Sequence, residues 1–232
     1  MYRKFVKRFL DIVCSLGAMI GLSWLYAVIG ALVRIKLGSP VLFTQQRPGM
    51  VDPKTGKERI FKLYKFRTMT DQRDKEGNLL PDDVRLTKFG KKLRESSLDE
   101  LPEVWNILKG DMSIVGPRPQ LVRDMVFMTE EQRMRHRVRP GLTGLAQVRG
   151  RNAINWETRL ASDLEYVQRV TFLNDAKIFF LTFAKVFQRE GISEEGMSTS
   201  TDLGDYLLHK GEVSSEIYDA KQAEAKVILA GK

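Results

Sequence analysis

Two adjacent carboxylates, Asp99 and Glu100, stand in the run Ser97-Leu98-Asp99-Glu100-Leu101-Pro102. The apolar spacing Leu101, Val104, Trp105 and Leu108 that follows is helical, so the pair is predicted at a helix start. A helix start favours anions, which keeps at least one of the two ionised. Ser97 with Glu100 can form a capping box, or Asp99 can be the N-cap with Pro102 in the first turn. The residue types leave two roles open, helix caps or catalytic acids. Several cations could meet an anionic substrate. Lys62, Lys65 and Arg67 crowd the stretch IFKLYKFRTM, a solvated face or the lining of an anion site. Arg118 lies between Pro117 and Pro119, whose rings restrict its backbone; a fixed guanidinium grips phosphate through a bidentate fork. Glycine turns at Arg139-Pro140-Gly141-Leu142-Thr143-Gly144 and around Gly150, flanked by Arg149 and Arg151, offer backbone amides to phosphate. They lack the P-loop pattern. His136 sits among Arg133, Arg135, Arg137 and Arg139, and those charges should keep it neutral at pH 7.

The elements that must hold these groups read as follows. Val41 to Gln46 and Ile60 to Met69 are strand-like, with turn chemistry at Pro48-Gly49 and from Asp52 to Gly56, which predicts a hairpin. Asp71 to Asp83 is a polar surface loop. Helices are expected at 86–94, from a Ser97 or Asp99 cap to a stop at Gly110, and at 121–137, 156–170, 172–187 and 217–230. The helix at 172–187 carries Phe172, Phe179, Phe180, Phe183 and Phe187, which suit a core or a membrane interface.

Before all of these comes Ile12 to Val33, which has no charged residue and no Asn, Gln or His. As a helix it reaches roughly 33 Å, the thickness of a bilayer core. Arg3, Lys4, Lys7 and Arg8 precede it; Arg34 and Lys36 follow. The positive-inside rule puts both flanks on the cytoplasmic face, which predicts a re-entrant segment bent near Gly17, Gly21 and Ser23, with a plain span as the alternative. Asp11, at the lip, is expected to pair with Arg8.

The chain has 232 residues and a net charge of +9. From Glu190 onward there are nine acidic and four basic residues, so the part before it carries +14. A basic body beside a membrane element suits anionic lipid and anionic substrates. No nucleic-acid reading motif is visible, so nucleic acid is not an expected partner. The lone cysteine, Cys14, excludes an intramolecular disulfide and a cysteine metal site. Nothing in the sequence signals an oligomeric state.

Taken together, the segments KRFLD (7–11), FTQQRPG (43–49), YKFRTM (64–69), SLDELP (97–102), NILKGDMSIVGPRP (106–119) and VRPGLTGLAQVRGRN (138–152) resemble the bacterial sugar transferases, the small monotopic phosphoglycosyl transferases. The resemblance covers residues 1–201. It implies transfer of a sugar 1-phosphate from a uridine diphosphate sugar to undecaprenyl phosphate, in glycoconjugate assembly at the cytoplasmic face of a bacterial inner membrane. It further implies an N-acetylated sugar. Asp99 would be the covalent nucleophile and Glu100 its partner acid. Arg118, Arg139, Lys65 and Arg151 would bind phosphate, Asp163 would be a further site residue, and Mg2+ would be held by Asp99 and Glu100. The fold implied is α/β: a compact, mostly helical cytoplasmic domain with a small antiparallel β element and an N-terminal re-entrant helix. The boundaries are 1–38 for the membrane element, 39–201 for the catalytic domain and 202–232 for an acidic extension. One departure concerns the membrane bend: the family's helix-breaking Ser-Pro pair is here Ser23-Trp24. Arg149 also stands where an asparagine is common. A hydrolase using the same cleft and an inactive scaffold are the rival readings.

Overall fold

The computed structural model describes residues 1–150, 154–188 and 201–231. It is mixed α/β and mostly helical. A short π-turn, Tyr2–Val6, runs into α1 (Lys7–Gly21), and α2 (Ser23–Leu37) follows at a bend of 63°. Among the described residues no single helix is long and apolar enough to cross a membrane; this bent pair together meets the length and composition. The break falls at Leu22, with φ −102° and ψ 11°, one residue before the expected Ser23-Trp24 pair. Ser23 and Trp24 open the new helix, where amides have no intrahelical carbonyl to reach. The amide hydrogen of Trp24 therefore does not oppose the break.

Strands β1 (Leu42–Val51) and β2 (Glu58–Phe66) pair antiparallel, with Leu42 opposite Phe66 and Arg47 opposite Phe61. The hairpin was legible, but Pro48-Gly49 is not its turn. Both residues are buried inside β1, where the register slips between Pro48 and Val51, an irregularity that accommodates a proline. The turn is at Asp52, whose amide and carbonyl bond Lys57 and Gly56.

Next come α3 (Asp82–Arg85), α4 (Lys88–Glu95) capped by Thr87, and α5 (Glu103–Lys109), stopped by Gly110 at φ 93°. The single helix expected at 121–137 is instead α6 (Val122–Met125), α7 (Glu130–Arg133) and a 3-10 turn, Met134–Arg137. Thr129 and Gln132 form a capping box that starts a new helix inside the run. Strands β3 (Ser113–Val115) and β4 (Gly141–Thr143) make a parallel pair that was not foreseen. Then follow α8 (Leu145–Gly150), α9 (Trp156–Gln168), α10 (Phe172–Gln188), α11 (Leu203–His209) and α12 (Ser215–Leu229).

Packing runs across the boundaries expected at 38 and 201. Ile29 and Val33 of α2 share a core with Phe66 and Leu93. Ala225 of α12 packs with Val122, Met125 and Val126. The start of α1 is tied down by polar groups. Asp11 is buried, and its Oδ1 accepts from Ser113 Oγ at 3.0 Å and the Ile114 amide at 2.9 Å. Arg8 does not pair with Asp11 as expected. Its guanidinium donates to the Ile107 and Leu108 carbonyls at 2.6 and 2.7 Å, at the C-terminal end of α5. Lys7 reaches Asp175 and the Val115 carbonyl.

Candidate active site

The turn that carries the two carboxylates is built from its apolar residues outward. Leu98 and Leu101 pack against Ile29, Val33, Phe66 and Leu93, which leaves Asp99 and Glu100 in a 3-10 turn, Leu98–Glu100, facing a cleft. Neither expected cap forms. Ser97 has φ 55°, in the left-handed region, and α5 begins only at Glu103, so the dyad precedes the helix. A non-glycine residue held there is strained by about 1–2 kcal/mol. Tyr26 of α2 donates from its hydroxyl to the Leu101 carbonyl at 2.5 Å, so the bent helix pair touches the turn directly.

The cleft has a volume of about 1160 Å3. Lys65, near the end of β2, enters it with its ammonium 2.7 Å from Glu100 Oε1 and 3.2 Å from Glu103 Oε1. Arg118 reaches the same Glu100 oxygen at 2.6 Å. Its loop is fixed from behind: Arg135 donates to the Arg118 carbonyl at 2.6 Å and Arg47 to the Pro119 carbonyl at 3.0 Å. The loop can lie there because Gly116 has no side chain; a Cβ would sit 2.4 Å from the Arg139 carbonyl. The glycines after Arg139 serve the same backbone contact. The Gly141 amide bonds the Pro117 carbonyl at 2.9 Å, so it is not offered to a ligand.

Asp99 and Glu100 differ in electrostatics. Burial alone would raise Glu100, but Arg118 and Lys65 overcome it and hold its carboxyl well below the usual range. Burial pushes Asp99 up to about 6, with Glu100 adding to the rise and Lys65, Arg94 and Arg118 opposing it. Asp99 is 7% exposed. Among the described residues no hydrogen bond or ion pair ties it. The site thus holds one pinned anion beside one carboxylate with its oxygens uncommitted, an asymmetry typical of functional sites.

The other expected residues are placed unevenly. Asp163 lines the cleft and is 1% exposed; its Oδ2 accepts from Arg135 at 2.7 and 2.9 Å, while its buried Oδ1 has no hydrogen-bond partner among the described residues. Arg139 is not brought to the cleft lining: its Nε donates to the Gly110 carbonyl at 2.8 Å. Arg151 lies outside the described residues, and Arg149 is exposed and paired with Glu165. Lys62 is exposed and does not line the cleft, whereas Arg67 lines it beside Lys65 with its guanidinium already engaged. Arg67 turns to Asp71 and the carbonyls of Ser39 and Met69.

Sequence reasoning missed Glu103 and Arg94. Glu103 is buried beside Lys65, and burial pushes its carboxyl up to about 7, with Lys65 opposing. Arg94 lines the cleft and donates to Thr68 Oγ1 at 3.0 Å. Its position five residues before Asp99, at the end of a basic helix, was the available signal. His136 is buried, and burial pushes its imidazole down to about 4 against the pull of Glu58, in line with the expected neutral state.

As to metal, no group of three His, Cys, Asp or Glu side chains suited to an ion occurs among the described residues. Two neighbouring carboxylates are nonetheless what Mg2+ takes when substrate phosphates supply the remaining oxygens. Asp99 and Glu100 fit that donor set.

A cleft with an uncommitted carboxylate, a pinned partner acid and two convergent cations holds the kinds of groups that phosphoryl transfer uses. The family model for bacterial sugar transferases matches residues 2–189, and the chain belongs to that family. It is 47% identical over 210 residues to the uncharacterized sugar transferase EpsL of Bacillus subtilis, covering 90% of this chain and 99% of that relative. It is 40% identical over 191 residues to the UDP-glucose:undecaprenyl-phosphate glucose-1-phosphate transferase of Klebsiella pneumoniae, and 36% identical over 205 residues to the undecaprenyl-phosphate galactose phosphotransferase of Salmonella typhimurium. These matches cover 78% and 81% of this chain but only 40% and 42% of the two relatives.

Proposed function

We infer that this transferase moves a sugar 1-phosphate from a uridine diphosphate sugar to undecaprenyl phosphate. The observation that carries the reading is the uncommitted Asp99 carboxylate beside Glu100, which Lys65 and Arg118 hold in a cleft that the bent apolar helix pair touches. Relatives named as undecaprenyl-phosphate sugar phosphotransferases support the same chemistry.

Asp99 attacks the sugar-linked phosphorus. An oxygen–phosphorus bond forms, the bond to uridine monophosphate breaks, and that product leaves with the electron pair. The lipid phosphate then attacks the same phosphorus and releases Asp99 as a carboxylate. Lys65 and Arg118 face the phosphate oxygens and stabilise the charge that builds up there. Glu100 orients both cations. Mg2+ bound by Asp99 and Glu100 would offset charge between the nucleophile and the diphosphate.

The helix pair enters and leaves a bilayer on one face, with the catalytic domain on the cytoplasmic side of a bacterial inner membrane. Supporting this, Lys7, Arg8 and Asp11 at one end and β1 at the other are held by the same domain. Exposed Phe172, Leu173 and Phe180 on α10 supply an apolar face for the interface. Phe43 and Phe183 line the cleft while exposed, which gives a prenyl chain an apolar approach. An N-acetylated sugar is the donor we favour, from family resemblance.

The test is release of uridine monophosphate across a panel of uridine diphosphate sugars, with mass spectrometry of protein mixed with donor alone. A phosphosugar adduct should appear on Asp99. Asp99→Asn should lose the adduct and lower turnover by about a thousandfold or more. Full turnover in that variant would overturn the covalent mechanism. Hydrolysis of the donor without acceptor would favour a hydrolase instead.

A further inference from the structure

Residues 201–231 lie beyond the family match, yet they pack against the catalytic domain beside the cleft. Trp156 donates from Nε1 to the Thr201 carbonyl at 3.0 Å. The Leu203 amide donates to Asp124 Oδ1 at 2.9 Å. Asp202 Oδ2 stands 2.6 Å from Arg123. On the outer side, the Tyr206 hydroxyl and Lys210 reach Glu157 at 2.8 and 2.7 Å. Asp124 is buried, and its other oxygen accepts the Leu121 amide at 3.0 Å. Leu121 ends the short segment that begins at Arg118. A chain of hydrogen bonds therefore ties Leu203, through Asp124, to the loop that presents the guanidinium beside Glu100. Asp202 and Arg123 line the same cleft as Asp99.

We propose that the start of this C-terminal segment is a wall of the donor pocket, and that Asp202 with Arg123 selects the donor by binding a hydroxyl-bearing ring. The proposal rests on the transfer reading above. Lys65 and Arg118 take the phosphates, and the rest of a nucleotide sugar is two hydroxylated rings and a base. A carboxylate that accepts beside a guanidinium that donates complements a vicinal diol, whose hydroxyls do both. The Asp202 side chain is 17% exposed and that of Arg123 is half exposed, so the pair has a partly covered acceptor, held by Arg123, and a reachable donor. The pair sits where side chains outside the shared family core complete the cavity. That is a place where members of one family can differ in donor while keeping the chemistry at Asp99.

The ring is the sugar or the ribose, and the test separates them. Full-length wild type, Asp202→Asn, Asp202→Ala and Arg123→Ala are assayed for uridine monophosphate release across the donor panel, with product inhibition by uridine monophosphate measured in each. Thermal midpoints report whether each variant is folded, and the near-isosteric Asp202→Asn keeps the question answerable if Asp202→Ala is not. The expected result is a rise of about tenfold in donor KM with kcat nearly kept, and compressed ratios of kcat/KM between sugars. An unchanged inhibition constant for uridine monophosphate then assigns the contact to the sugar; an equal weakening assigns it to the ribose. Folded variants with wild-type KM, sugar ratios and inhibition constant would overturn the proposal and leave the transfer reading standing. A wild type that releases no uridine monophosphate from any donor overturns the transfer reading, and the proposal with it.

Discussion

At Asp99 and Glu100 the same functional group meets two surroundings. Glu100 has Lys65 and Arg118 against one oxygen and stays an anion; Asp99 has burial and, among the described residues, no ion pair. On the proposed reading that contact orients Arg118 towards the phosphate oxygens, so Arg118→Ala should lower kcat/KM by about 10- to 100-fold while the thermal midpoint barely moves, and Arg118→Lys should recover only part. Wild-type efficiency in Arg118→Ala would make it an ordinary arginine of a rigid turn. The fixed loop under Arg118 was legible because prolines on both sides announce a restrained backbone. Glu103 was not legible: in sequence it is one more acid in the first turn of a helix, and only the fold buries it against Lys65, which comes from a strand 38 residues earlier. The same holds for Arg139. Its type and its glycine-rich neighbourhood suit phosphate, but the close approach of Gly116 and Gly141 uses those backbone groups for packing.

Elements were legible where hydrophobic period and end signals agree. The helices α9, α10 and α12 start within two residues of their expected positions. The run 121–137 failed because Thr129 and Gln132 cap locally while the apolar spacing continues through them. The short parallel pair β3 and β4 failed because three-residue strands carry no period. The break between α1 and α2 lies at Leu22, which leaves Trp24 at the second position of α2. A proline is tolerated in a first turn, where it removes no intrahelical hydrogen bond. Trp24→Pro should therefore keep activity and the thermal midpoint close to wild type. Loss of membrane association or activity in this variant would show that a continuous helix is needed through that point.

For the molecule as a whole, the dependence of stability on pH has a part that can be isolated. His136 binds its proton near 4 when folded and near 6.5 when unfolded, so the stability it contributes is present above 6.5 and lost as pH falls towards 4. Asp99, Glu103 and Asp202 have raised values and act in the opposite direction over part of this range. The comparison to make is therefore between two proteins: the midpoint of His136→Gln relative to wild type should rise as pH drops from about 6.5 to about 4. A constant difference would mean that His136 is charged in the folded state. Topology belongs to this scale too. A cysteine placed at residue 2, in protein lacking Cys14, should resist an impermeant thiol reagent added outside intact cells. Labelling there would make the helix pair a span.

Arg8 and Asp11 have a mechanical consequence. They fasten the entry of α1 to α5 and β3, while the exit of α2 continues into β1 of the same domain. The apolar segment is thus a loop whose two ends are held in one body, an arrangement that favours the proposed entry and exit on one face over a span. Seated in a bilayer, it acts as a wedge pressed in from one side. On the proposed one-face insertion it would add area to one leaflet and none to the other, and would favour a curved membrane around each molecule.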